Sequence, residues 1–139
     1  MTPTVAELLL GNFVAFSNPP PPEAMGDFMA SRIGIVGMIS MLAAQEADRG
    51  AAARIWENGA IRAVLARAAP TYGPAPDLPE GEATITALDA VNAELRRALI
   101  ALHEAVETAK DRGLDREILD LYVKMAQARR LDLPPFPAS

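Results

Sequence analysis

A heptad repeat of apolar residues in the second half of the chain constrains the fold more than any other feature. The steps between these residues alternate between three and four over four heptads, and Asn92 is the one polar residue on the seam. This spacing places them on one stripe of an α-helix and predicts that the helix packs against another along its length. The apolar positions are Ile85, Leu88, Leu95, Leu99, Leu102, Val106 and Ala109.

An earlier segment carries the same register and predicts the partner helix. Residues 58–65, NGAIRAVL, and residues 92–99, NAELRRAL, both read N-x-x-[I/L]-R-x-x-L. If Asn58 lies on the seam, one heptad frame extends through the whole proline-free segment around it. The frame predicts either one long helix, about 23–69, or two helices that break near Gly50, where a mid-helix glycine costs about 1 kcal/mol.

A loop between these helices completes the predicted fold. Residues 70–83 hold four prolines and two glycines, a composition typical of loops. We expect an all-α fold, an antiparallel helical bundle built on a hairpin of helices about 23–69 and 84–112, with short N- and C-terminal helices. In this hairpin Asn58 and Asn92 fall in adjacent layers, and their side-chain amides are predicted to bond each other and set the register.

Both ends of the chain are predicted to belong to the same single domain, residues 1–139. Residues 1–22 consist of an apolar helix, about 5–16, and a spacer of four prolines. The last helix is predicted to begin with Asp115 as its cap, after Gly113 has ended the helix before it. The tail, residues 131–139, is predicted to be extended.

The most apolar run of the chain, residues 31–44, is not predicted to span a membrane. Its uncharged core, residues 33–44, has 12 residues, whereas crossing a bilayer takes about 20. Its apolar side chains extend beyond the heptad stripe, so one antiparallel partner covers only some of them. We therefore predict an interaction surface that binds the protein's own terminal helices or a second copy. Its residues are Met29, Ile35, Met38, Ile39, Met41 and Leu42.

Composition narrows the chemistry that the chain can carry out. It has no cysteine, one histidine and a net charge of −5, which argues against thiol chemistry, catalytic triads and nucleic acid as a partner. We expect no catalytic residue, no cofactor and no metal. Four charged residues of the long helix are interpreted as surface ion pairs, with a ligand-binding role as the alternative. They are Arg32, Glu46, Arg49 and Glu57.

These observations predict a non-enzymatic helical-bundle protein that mediates protein–protein interaction. Self-association as a homodimer is the first expectation, in an adaptor, chaperone-like or regulatory role with an unknown protein partner. Two alternatives stay open: a peripheral membrane protein anchored by residues 5–16, and a small ligand-binding or enzymatic bundle with a pocket near Arg32, Glu46 and Glu57. The segment 5–16 has no basic residue, so membrane binding is the less favoured alternative.

The expected origin and compartment follow from composition alone. Arginines outnumber lysines by 11 to 2, an excess typical of GC-rich bacterial genomes. The absence of cysteine fits a reducing compartment, and we therefore expect a bacterial, cytoplasmic protein.

Overall fold

A computed structural model describes residues 5–17, 21–79 and 82–133 of the chain. Within these ranges the chain consists of helices and loops, which confirms the all-α fold class. The helices are α1 (Val5–Ser17), α2 (Pro22–Met25), α3 (Asp27–Tyr72), α4 (Ile85–Ala109) and α5 (Arg112–Ala128).

The chain divides into two compact units. Unit 1 comprises Met1–Arg49 and Leu131–Ser139, and unit 2 comprises Gly50–Arg130. The single domain of residues 1–139 therefore stays a prediction. Parts of the predicted segments lie outside the described residues: 1–4 and 18–20 at the N-terminal end, 80–81 in the loop, and 134–139 in the tail.

The long helix forms without a break at Gly50, but it begins and ends later than predicted. α3 covers 46 residues. Gly26 separates it from α2 with a φ of 76°, a left-handed conformation that glycine adopts without steric cost. At the other end Pro70 lies within the last turn, and Gly73, with a φ of 103°, follows the helix. The loop therefore begins at residue 73 instead of 70.

In unit 1 the helix α1 packs closely against α3 at Gly37. A Cβ atom added to Gly37 would lie 3.1 Å from the Cβ atom of Phe16 and 3.7 Å from the carbonyl oxygen of Phe13. A larger residue would therefore push the two helices apart. Gly37, Ser40 and Ala44, which are small residues of the predicted heptad frame, are all buried.

The first residues of the tail contact the middle of α3, within unit 1. Gln45 Nε2 donates a hydrogen bond to the Asp132 carbonyl oxygen at 2.8 Å, and Asp132 N–H donates to Gln45 Oε1 at 2.8 Å. Arg49 Nη2 lies 3.1 Å from Asp132 Oδ2. Arg49 is therefore an ion-pairing residue, and its partner comes from the tail.

In unit 2 the C-terminal part of α3 packs with α4 and α5 around one apolar core. The predicted heptad seam of α4 lies in this core, because five of its apolar positions are buried: Leu88, Leu95, Leu99, Leu102 and Val106. The other helices contribute Ile61, Val64, Leu65 and Ala68 from α3, and Ile118, Leu121 and Met125 from α5.

The α3 and α4 helices run parallel in unit 2, so the predicted antiparallel hairpin is wrong. Arg54 Nε donates to Asp89 Oδ1 at 2.7 Å, near the start of α4. Tyr72, the last residue of α3, donates from its hydroxyl to Asp111 Oδ2 at 3.2 Å, just beyond the end of α4. Rising residue numbers in α3 therefore meet rising numbers in α4.

The loop between α3 and α4 has the length that a parallel crossover needs. Its 12 residues, 73–84, span up to about 40 Å when extended, and the stretch of α3 from residue 54 to residue 72 rises by only about 27 Å. Arg62 of α3 stabilises the position of the loop by donating a hydrogen bond to the Pro79 carbonyl oxygen at 2.8 Å. The shorter path of a hairpin also fits this loop length, so the length alone does not give the direction of α4.

The α5 helix runs antiparallel to both neighbours after a tight turn that the sequence analysis misplaced. Lys110 ends α4 in the left-handed conformation, with a φ of 57°. Asp111 then caps α5, because its Oδ1 accepts a hydrogen bond from the Leu114 N–H at 3.2 Å. Gly113 and Asp115, the predicted stop and cap, both lie inside the first turn of α5, since the chain turns earlier than predicted.

Candidate functional site

The face of α3 that points away from α1 is the first candidate site. Phe28, Ile35 and Ile39 are 73, 57 and 59 % exposed. The guanidinium carbon of Arg32 lies 5.5 Å from the ring centroid of Phe28. Steps of four and three residues place six side chains on one helical stripe, which we name the α3 face. It consists of Phe28, Arg32, Ile35, Ile39, Leu42 and Glu46.

The structure divides the six residues of the predicted interaction surface between exposed and buried positions. The exposed ones are Met29, Ile35 and Ile39, and the half-buried ones are Met38 and Leu42. Met41 is only 8 % exposed, so it packs within unit 1 and offers little surface to a partner. The exposed and half-buried members remain available for an interaction.

The α1 helix exposes apolar side chains on more than one side. Val5, Leu8, Leu10 and Val14 are between 45 and 65 % exposed, and no residue of α1 is buried. In α3, a stretch within Phe28–Tyr72 has a mean hydropathy of 1.4 and is 22 % buried. By length and composition this helix could cross a membrane, although core helices of soluble proteins also meet these two criteria.

A buried polar network around Glu57 is the second candidate site. The Glu57 side chain is 0 % exposed, so the predicted surface position is wrong for this residue. Its Oε1 accepts hydrogen bonds from Asn92 Nδ2 at 2.8 Å and from Arg96 Nε at 2.7 Å, and its Oε2 accepts one from Arg129 Nε at 2.6 Å. The carboxylate of α3 therefore joins α4 to the end of α5.

The surroundings of Glu57 keep its carboxylate ionised. Burial by itself raises the pKa of Glu57, because a charge loses its hydration there. The hydrogen bonds from Asn92, Arg129 and Arg96 outweigh this effect and hold the pKa of Glu57 below its ordinary value. A carboxylate with a lowered pKa and three bound donors is poorly suited to proton transfer at neutral pH.

Asn92 extends the network to the second asparagine. Its Nδ2 also donates to Asn58 Oδ1 at 2.8 Å, and Asn58 Nδ2 donates to the Leu88 carbonyl oxygen at 3.1 Å. Arg129 Nη2 donates to Asn92 Oδ1 at 3.2 Å. Among the described residues no buried side-chain nitrogen or oxygen lacks a hydrogen-bond partner. The network therefore presents no vacant buried group to a ligand.

A second ion pair extends the network toward the surface. The hydrogen bond from Arg54 lowers the pKa of Asp89, and Arg129 Nη1 lies 3.6 Å from the same Asp89 Oδ1. Arg54 also donates to the Gly50 carbonyl oxygen at 3.0 Å. These contacts hold both arginine side chains in place beside Asp89.

A third cluster contains the residues that best fit a metal ion. His103, Glu107 and Asp115 each offer a ligand atom, and these atoms lie within 4.8 Å of one another. One imidazole and two carboxylates are ligands that Zn²⁺ accepts. However, Lys110 and Arg112 line the same 330 Å³ surface cavity as the two carboxylates, and their positive charges oppose cation binding. A hydrogen bond of 3.0 Å between His103 Nε2 and Asp115 Oδ1 accounts for the contact without an ion.

The predicted ligand pocket near Arg32, Glu46 and Glu57 does not coincide with the three cavities described in unit 2. Arg32 and Glu46 belong to unit 1, whereas Glu57 belongs to unit 2. Three cavities of about 240, 330 and 280 Å³ lie in unit 2, and none of them is lined by these three residues.

Comparison of the chain with protein-family models, with curated proteins and with solved structures found no match.

Proposed function

We propose that this protein is a helical interaction module that self-associates through the α3 face of unit 1. The observation that carries the proposal is the exposure of Phe28, Ile35 and Ile39, at 73, 57 and 59 %, on one helical stripe. Contiguous apolar surface of this kind marks interaction sites in soluble proteins. Burying such a side chain contributes on the order of 1 kcal/mol or more, so several together offset the cost of association.

The polar network of unit 2 supports a structural role for that unit. Its buried carboxylate is ionised and held by three donors, and its asparagines are bonded to each other. A saturated network of this kind fixes how three helices pack. Unit 2 then serves as a rigid body, and unit 1 supplies the surface for the partner.

Sedimentation equilibrium of the full chain over a range of micromolar concentrations tests the proposal. We expect the native chain to form a dimer and the Ile39→Glu variant to be a monomer, because a glutamate in the centre of the α3 face would be buried without a partner. Ile100→Glu is the matched control, since Ile100 is 53 % exposed on α4 and lies in unit 2. A native chain that stays monomeric, or a control that dissociates equally, contradicts the proposal.

Association with a lipid bilayer is the second candidate function. The apolar length of α3 and the exposed apolar side chains of α1 favour it. Flotation of the full chain with vesicles of neutral and anionic phospholipids tests it. On this proposal Leu8→Glu/Val14→Glu floats less than the native chain, whereas Ile100→Glu floats equally. If the native chain stays at the bottom of the gradient with both vesicle types, bilayer binding is excluded.

A further inference from the structure

The tail is held on α3 by its backbone as well as by its side chain. The side-chain amide of Gln45 pairs with both the N–H and the carbonyl oxygen of Asp132, each at 2.8 Å. In an extended chain these two groups of one residue point to the same side, as they do toward a neighbouring β-strand. Arg49 lies 3.1 Å from the Asp132 carboxylate. The tail therefore passes Gln45 as an extended segment that is bound to the helix.

The contacts of the chain along α3 also give the direction of the tail. Within unit 2, Arg129 at the end of α5 bonds to Glu57. Three positions later, within unit 1, Asp132 bonds to Gln45. Higher residue numbers at the C-terminal end of the chain thus meet lower residue numbers of α3. An extended chain that continues in this direction leads residues 134–139 toward the N-terminal half of the helix.

The side chains of α3 that lie ahead of the tail in this direction are apolar. Steps of four and three residues define one helical stripe that starts at the two residues holding the tail, and we name it the tail stripe. It consists of Arg49, Gln45, Leu42, Met38 and Ile35. Leu42 and Met38 are half-buried, and Ile35 is exposed. Leu42 and Ile35 also belong to the α3 face, so a chain on the tail stripe covers one edge of that face.

We propose that residues 134–139 dock on the tail stripe of their own chain, with Phe136 against Met38, and compete there with a second copy. The residues lie outside the described part of the chain, and the bound Asp132 fixes the point from which they start. The competition rests on the proposed function, because it requires the α3 face to bind a second copy. The tail then regulates self-association, since only a copy whose tail has left the stripe offers the whole α3 face.

The composition and reach of residues 134–139 fit this position. Pro134, Pro135 and Pro137 surround Phe136. Prolines favour an extended conformation and so reduce the entropy lost on docking, and they bring no N–H that would lose its water on an apolar surface. At about 3.1 Å per residue, Phe136 lies about 12 Å beyond Asp132. The seven residues from Gln45 back to Met38 rise by about 10 Å, which is close to that reach.

Disulfide trapping in the full chain tests the position of the tail. The chain has no cysteine, so Met38→Cys/Pro135→Cys carries only the two thiols that the docked tail brings together. After mild oxidation at low protein concentration, we expect a disulfide within one chain. Val36→Cys/Pro135→Cys is the matched control. Val36 is 49 % exposed but lies two positions from Met38 and therefore on the far side of the helix, so we expect little disulfide.

The Phe136→Ala variant tests the competition. We expect it to dimerise about tenfold more tightly than the native chain in sedimentation equilibrium. A tail that covers about two-thirds of the copies leaves about a third free, and two free faces must meet, so the apparent Kd of the native dimer is about ninefold higher. Leu133→Ala is the control, because Leu133 is 57 % exposed in the same tail and precedes the docking residues. We expect it to leave the Kd unchanged.

The outcomes separate this inference from the proposed function. If Met38→Cys/Pro135→Cys forms no more disulfide within one chain than the Val36→Cys control, the tail does not dock and the inference is overturned, while a native dimer leaves the proposed function standing. A disulfide that joins two copies instead places the tail on the second copy and also overturns the inference. If Phe136→Ala dimerises less tightly than the native chain, the tail supports the dimer and the competition is overturned. If both are monomers, the proposed function is overturned, and the competition with it.

Discussion

The side-chain amides of Asn58 and Asn92 are hydrogen-bonded at 2.8 Å, and each residue begins one copy of the N-x-x-[I/L]-R-x-x-L pattern. Because α3 and α4 run parallel in unit 2, the two copies lie side by side. Parallel helix pairs place equivalent heptad positions in the same layer, and an asparagine pair in such a layer favours one register. The repeat therefore places the two asparagines in the same layer of the α3–α4 helix pair.

The Asn92→Leu substitution tests the importance of the asparagine. We expect the free energy of unfolding to fall by about 3 kcal/mol, because Glu57 and Asn58 each lose a buried hydrogen bond. Urea denaturation followed by circular dichroism measures it. Ala93→Leu, at the exposed neighbouring position, is the control and is expected to change the value by less than about 0.5 kcal/mol. Equal effects of the two substitutions would contradict a role for the amide.

Glu57 makes the stability of unit 2 sensitive to acid. Its pKa is lower in the folded than in the unfolded chain, so the stabilisation is complete above about pH 4.5, the ordinary pKa of a glutamate, and is lost as the pH falls through the folded value. Glu57→Gln is expected to cost about 3 kcal/mol at neutral pH, since it leaves the arginine charges without their buried partner.

Urea titrations at neutral pH and at several values below pH 4.5 measure this dependence. We expect the Glu57→Gln variant to lose less stability on acidification than the native chain. Glu94→Gln, in the exposed pair with Arg97, is the matched control and should follow the native profile. A native profile that is flat in this range would refute the assignment to Glu57.

The turn at Lys110 predicts opposite effects of glycine at two lysines. Lys110 has a φ of 57°, which costs a non-glycine residue about 1 kcal/mol, so Lys110→Gly is expected to stabilise the protein by about that amount. Lys124→Gly, within α5, is expected to destabilise it by about 1 kcal/mol. Thermal unfolding of both variants measures the difference, and destabilisation by both would show that the turn is not strained.

The close contact at Gly37 predicts which glycine of α3 tolerates a side chain. Gly37→Leu is expected to displace α1, because its Cβ alone would approach the Cβ atom of Phe16 to 3.1 Å. Gly34→Leu is the control, since a Cβ at Gly34 has open space around it. Hydrogen exchange of the α1 amides, residues 5–17, should accelerate in the first variant only. Unchanged exchange in Gly37→Leu would mean that α1 does not depend on this contact.

Local signals in the sequence were sufficient to predict that α1, α3, α4 and α5 exist, although not the separation of α2 from α3. The heptad spacing of α4 predicted which side of this helix is buried. Gly73, which follows the end of α3, lies within the predicted loop. The turn between α4 and α5 was misplaced, because Lys110 adopts a conformation that the sequence assigns to Gly113. The preference for glycine after a helix therefore gave the wrong residue here, because Lys110 occupies the left-handed position.

The direction of α4 relative to α3 and the burial of Glu57 depend on contacts between distant parts of the chain. A 12-residue loop permits both an antiparallel and a parallel partner, and only the repeated pattern beginning at Asn58 and Asn92 distinguishes them. Glu57 adjoins a seam residue and resembles a surface glutamate in local sequence. Its burial depends on Arg129, which lies 72 positions further along the chain, so local patterns could not predict it.

The crossover between α3 and α4 determines the order in which unit 2 can fold. Contacts between α4 and α5 begin with residues only 12 positions apart, as in the pair of His103 and Asp115, whereas the α3–α4 hydrogen bonds join residues 30 to 39 positions apart. Short chain segments close first, so the α4–α5 pair is expected to form before α3 docks. On the ribosome, the charge of Glu57 then stays hydrated until Arg129 has been synthesised, and it enters the core in one of the last steps.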